Sequence, residues 1–151
     1  MKNLKGRTLL GLGVLFGLVQ LVPVDRTNPA VESDVAAPGT ANGVLRRACY
    51  DCHSNETFWP WYSQVAPVSW LLASDVREGR RELNFSLWNT YDPKRRAKKL
   101  KETVQEVRDG DMPPWYYVIM HSEAKLSGAD RAAIERWVAE AMPGAPPARA
   151  E

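Results

Sequence analysis

Both cysteines of the chain fall in one five-residue string, Cys49-Tyr50-Asp51-Cys52-His53. Two thiols three positions apart share one helical turn and can add to the two vinyl groups on one edge of a haem. An imidazole next in line can then reach the iron, so C-x-x-C-H reads as a covalent haem attachment pattern. Two other chemistries compete. A dithiol redox pair expects a strand before it in a βαβ setting, whereas Asn42 to Ala48 reads as the start of a helix. A structural zinc site needs four ligands, and beyond Cys49, Cys52 and His53 only His121 and carboxylates remain.

His53 fills one axial position of an iron and leaves the other open. Methionine or a second histidine would complete it. Gly110-Asp111-Met112-Pro113-Pro114 is the outstanding segment. Gly110 ends a helix, and the double proline keeps Met112 out of the next one, so a stiff loop would hold the thioether. Met112 is therefore the expected sixth ligand and His121 the alternative. The competing view of Met112, a gap-filler in the core, loses weight beside C-x-x-C-H.

The elements that must position these groups are helical. Asp92-Pro93 is an N-cap with proline at the first helical position, followed by Ala97, Leu100, Val104 and Val107 and ended by Gly110. Ser127 to Asp130 resembles a capping box before Ala133, Ile134, Trp137, Val138 and Ala141. Pro67-Val68 opens a third helix expected to stop near Gly79. No segment carries a strand pattern, so the fold is expected to be all-α and built around one haem.

The N-terminus carries Lys2, Lys5 and Arg7 before an uncharged apolar run from Thr8 to Val24. That length lies on the border between a signal-peptide core and a spanning helix of ~17–25 residues. With no good cleavage site after it, residues 1–24 read as an uncleaved transmembrane anchor, with the positive flank in the cytoplasm. Residues 25–43 read as a linker, 44–142 as the haem-binding domain and 143–151 as a disordered tail. The whole chain has 20 basic and 18 acidic residues. Three of the bases lie in the first 24 residues, so the remainder is close to neutral and no nucleic-acid partner is expected. The basic run Lys94, Arg95, Arg96, Lys98, Lys99 and Lys101 reads as a solvated helix face. The other reading is a surface that steers an acidic redox partner or rests on anionic lipid.

C-x-x-C-H, a Gly-x-Met-Pro loop and a final helix with Trp137 come in the order seen in class I cytochromes c. The blocks CYDCHSNETFWPWYSQVAPVSWLL, EGRRELNFSLWN and GDMPPWYYVIMHSEAKLS resemble more closely a small bacterial haem-binding domain family of membrane-anchored, extracytoplasmic proteins. The resemblance implies one haem c bound through Cys49 and Cys52, with His53 as axial ligand. By analogy with cytochromes c it also implies a backbone carbonyl, that of Pro67 or else Pro60, holding the His53 Nδ1 proton. Trp59, Trp61, Trp70 and Trp88 are candidates for lining the haem crevice or for ordinary aromatic packing.

The function expected is one-electron transfer by a monohaem c-type cytochrome on the outer face of a bacterial cytoplasmic membrane. No base–nucleophile pair is evident, so no enzymatic activity is expected, and the partner would be another redox protein. The alternative is a haem-based sensor with a weak or open sixth position. A third option is an accessory subunit whose haem stabilises a docking domain.

Overall fold

Local stop and start signals divide the chain into seven helices in a computed structural model that describes residues 2–142. They are α1 (Lys2–Val19), α2 (Gly39–Ala48), α3 (Tyr50–His53), α4 (Val68–Glu82), α5 (Pro93–Asp109), α6 (Trp115–Met120) and α7 (Gly128–Ala141). Three short 3₁₀ turns join them, and the described residues contain no strand. The tail expected from residue 143 onward lies outside the described residues.

The caps read from the sequence act as such. The Asp92 side chain accepts from the Arg95 N–H at 2.9 Å, and Gly110 closes α5 at φ 81°, where a Cβ would be strained. Ser127 and Asp130 satisfy each other's backbone N–H groups in a full capping box on α7. Asp130 also receives Arg47 at 2.5 Å, which joins α7 to α2. Arg47 first, and the Ser127 groups second, hold the Asp130 carboxyl down at about 2. Its stabilisation is thus complete above the unfolded value near ~3.9 and is lost as pH falls through 2. Asp130→Asn should cost about 1–2 kcal/mol at pH 7 and almost nothing at pH 2, measured by denaturant unfolding at both.

α1 corrects the expected transmembrane anchor. No helix among the described residues is long and apolar enough to cross a membrane. The apolar part of α1 runs only from Thr8 to Val19, which spans ~18 Å at 1.5 Å per residue, against a hydrocarbon core of ~30 Å. The polar Gln20 stops it. Its side chain bonds back to the Phe16 carbonyl at 3.1 Å and across to the backbone of Ala66, accepting at 2.8 Å and donating at 3.2 Å. Pro23 then bars a return to helix.

The segment read as a linker is tied to the domain. The Ser86 carbonyl accepts from the N–H groups of Glu32 and Ser33, and the Trp137 indole donates to the Ala36 carbonyl at 3.1 Å. Val35 is buried, and α2 begins at Gly39, three residues before the helix start expected at Asn42. The core forms where α2 and α5 pack on α7: Val44, Leu45, Leu100, Val107, Ile134 and Trp137 are all buried. α3 packs separately on α4, and that contact builds the site.

Candidate functional site

α3 is a single turn. The Cys49 carbonyl accepts from the N–H groups of Cys52 at 3.2 Å and His53 at 2.9 Å, which gathers both thiols and the imidazole in one local frame. A short turn needs outside support, and α4 gives it by close approach at Gly79. A Cβ on that residue would lie 2.5 Å from the Cys52 carbonyl oxygen and 3.0 Å from the Cys52 carbonyl carbon and Cβ. The helix runs through Gly79 to Glu82, so this glycine is a packing residue and not the helix stop expected.

The approach aligns the end of α4 with the imidazole. His53 Nδ1 lies 2.9 Å from the Gly79 carbonyl and 3.1 Å from that of Leu83. Carbonyls only accept, so Nδ1 carries the proton and Nε2 keeps its lone pair for a metal. Burial holds His53 below the ordinary histidine range, outweighing the two carbonyls that favour its charged form. Neutral imidazole is the ligating form. The carbonyls of Pro67 and Pro60, expected in this role, instead accept backbone N–H groups from Trp70 and Leu71 and from Ser63.

Two adjoining cavities of about 320 and 230 Å³ open beside this turn and share Ala48, Cys49, His53, Glu82 and Met112. Met112 thus faces the same crevice as His53. Its loop is fixed at the end of α5, where the Glu106 carbonyl accepts from the N–H groups of both Asp111 and Met112. Leu83, Phe85 and Val107 give the crevice an apolar wall, and Lys99, Glu102 and Glu106 edge it. Burial pushes both thiols up to about 12. Reactive dithiols have depressed values, so these are poor redox cysteines. Among the described residues no group of three or more His, Cys, Asp or Glu side chains could hold a metal ion, which disfavours the zinc alternative. A broad apolar plate carrying iron fits: the crevice supplies two thiols, a neutral imidazole with one nitrogen free, and a thioether.

Two polar assemblies hold this arrangement, and sequence reading found neither. Asn84 donates to the Asn55 side chain at 2.8 Å, Asn55 N–H donates to Ser86 Oγ at 2.9 Å, and the Tyr91 hydroxyl oxygen accepts from Asn84 N–H at 2.9 Å. Arg80 donates to Ser54 O, Thr27 O, Asn28 Oδ1 and Thr57 Oγ1 at 2.8 to 2.9 Å. Together they fix the stretch after His53 against α4 and the N-terminal segment. Phe85, fully buried, stacks on Tyr50 and meets the His53 ring edge-on at 6.4 Å. The signal was present as the Leu-Asn-Phe-Ser block, but nothing in it names a partner.

His121 lies elsewhere. It lines a third cavity, where Nε2 meets the Tyr62 hydroxyl at 2.5 Å and the ring stacks on Tyr117 at 4.2 Å. Trp59 and Trp61 line that cavity too, Trp70 a fourth, and Trp88 packs on the core, so none of these four borders the crevice beside His53. The basic run is partly consumed locally: Lys99 pairs with Glu102 at 2.8 Å and Glu82 at 3.7 Å, and Lys98 with Glu102 at 3.5 Å.

Compared with family models, the chain matches the one described as a haem-binding domain, over residues 14–140. No curated protein and no solved structure matches it.

Proposed function

From the premise that this chain belongs to the haem-binding domain family, we propose that it is a one-electron carrier with one covalently bound c-type haem. Cys49 and Cys52 would form the thioether bonds, and His53 Nε2 and the Met112 sulfur would hold the iron. The single observation that carries this reading is the His53 Nδ1 proton held between two backbone carbonyls. That bond fixes tautomer and ring orientation together, as a permanent axial ligand requires. Bound there, the group supplies an iron(II)/iron(III) couple. The chain's own contribution is to exclude water with Leu83, Phe85 and Val107 and to hold both ligands on rigid backbone. Covalent attachment through such a motif is an extracytoplasmic process, which supports a domain outside the cytoplasm.

The test is extraction. Protein matured in a host able to attach haem should keep its haem through denaturation and acidified organic solvent. Release of the haem into the organic phase would overturn covalent attachment.

A further inference from the structure

We propose that the aromatic cavity on the far side of Cys52 binds a quinol and that this quinol is the domain's electron donor. The proposal rests on the one-electron reading above and adds the identity of the donor. The cavity encloses about 250 Å³, enough for one substituted ring, between Trp59, Tyr62, Leu72, Val76 and Tyr117. Aromatic walls favour a planar ring. Its mouth carries Phe58, Trp61, Leu71 and Met120, all exposed. Exposed apolar side chains clustered at one opening mark a binding site more often than chance. The clamp between Gln20 and Ala66 fixes the end of α1, with its exposed Leu18, Leu21 and Val22, two residues from Val68 on the same wall. The site therefore suits a ring bearing an apolar tail.

Hydrogen-bond polarity selects the quinol over the quinone. Glu123 is exposed, and an exposed carboxyl is ionised at neutral pH, so it only accepts. His121 Nδ1, 3.3 Å away, must then carry its ring proton toward it. Nε2 is left as acceptor and takes the Tyr62 hydroxyl proton. The lone pairs of the Tyr62 oxygen remain for a donor, which a quinol hydroxyl is and a quinone carbonyl is not.

Position supplies the electron path. Cys52, Asp75, Tyr116 and Tyr117 line both this cavity and the crevice beside His53, so one layer of side chains separates them. Oxidation of one quinol to quinone releases two electrons and two protons. Two ferric proteins take one electron each, and the protons pass by way of Tyr62, His121 and Glu123 to water.

The ferrous holoprotein cannot accept electrons, so titrating it anaerobically with a short-chain quinol in a calorimeter measures binding alone. Saturable one-to-one binding is expected, with quinone binding more weakly. Tyr62→Phe, which keeps the ring, should weaken quinol binding about three- to tenfold, the loss of one hydrogen bond. Trp61→Ala, at an exposed position, should weaken it without affecting the fold. Mixing quinol with ferric protein should then give a reduction rate that saturates with quinol. Absent binding, binding unchanged in both variants, or tighter binding of quinone would overturn the site. Binding without haem reduction would overturn the donor role. Failure of the one-electron reading is distinguishable, because it would show as a haem lost on extraction or not reduced by dithionite.

Discussion

Gly79→Ala is expected to reduce haem incorporation at least tenfold while leaving the protein helical. In an exposed helix the exchange would stabilise by ~1 kcal/mol, because alanine is the better helix former. Here the added Cβ would stand 2.5 Å from the Cys52 carbonyl oxygen. That atom belongs to the backbone of α3 and cannot swing aside as a side-chain tip would. α4 must retreat, and overpacking of this kind costs ~1–3 kcal/mol, which exceeds the propensity gain. The retreat also withdraws the Gly79 carbonyl from His53 Nδ1, so packing and ligand orientation fail together. Haem content per polypeptide reads the loss, and far-ultraviolet circular dichroism checks that the helices persist. A Gly79→Ala protein with wild-type haem content would show that the close approach of α4 to α3 is not what holds the site.

The glycine also shows what the sequence reveals and what it hides. Helix borders set by local chemistry were legible: Asp92 and Gly110 around α5, and the Ser127–Asp130 box before α7, depend on residues within one turn of each other. The gathering of Cys49, Cys52 and His53 in one turn was legible for the same reason, since their spacing is local. What was hidden depends on contacts distant in the chain. Gly79 reads as a stop until Cys52 is seen against it, and the carbonyl partner of His53 lies 26 residues away rather than 14. The apolar N-terminus misled because hydropathy alone ignores Gln20, whose tertiary bonds to Ala66 end α1. α6 escaped notice because Trp115 to Met120 are rich in aromatic and branched residues, weak helix formers. The double proline before them still had the consequence read from it: Met112 stays outside the helix, on a loop tied to α5.

Met112→Ala should open the iron. In the wild-type ferric protein the thioether is expected to give a weak sulfur-to-iron absorption band toward the red and to slow the entry of cyanide. Without it the band should vanish, cyanide and carbon monoxide should bind in full, and the reduction potential should fall, because a thioether favours iron(II). The side chain is only half-buried, so its truncation should cost less than the ~2–5 kcal/mol of a fully buried methionine, and the protein should survive to be measured. The contrasting variant is His121→Ala. His121 is engaged by Tyr62, Tyr117 and Glu123 in a different cavity, so the band should persist in its absence. A wild-type protein without the band, whose iron opens to carbon monoxide on His121→Ala and not on Met112→Ala, would reverse the ligand assignment and require the α6 region to rearrange around the haem. A wild-type protein that already binds carbon monoxide in full would instead favour a sensor, with Met112 near the iron but not upon it. The loop geometry argues for ligation: with the N–H groups of Asp111 and Met112 both fixed to Glu106, the thioether is held over the crevice at little further entropic cost.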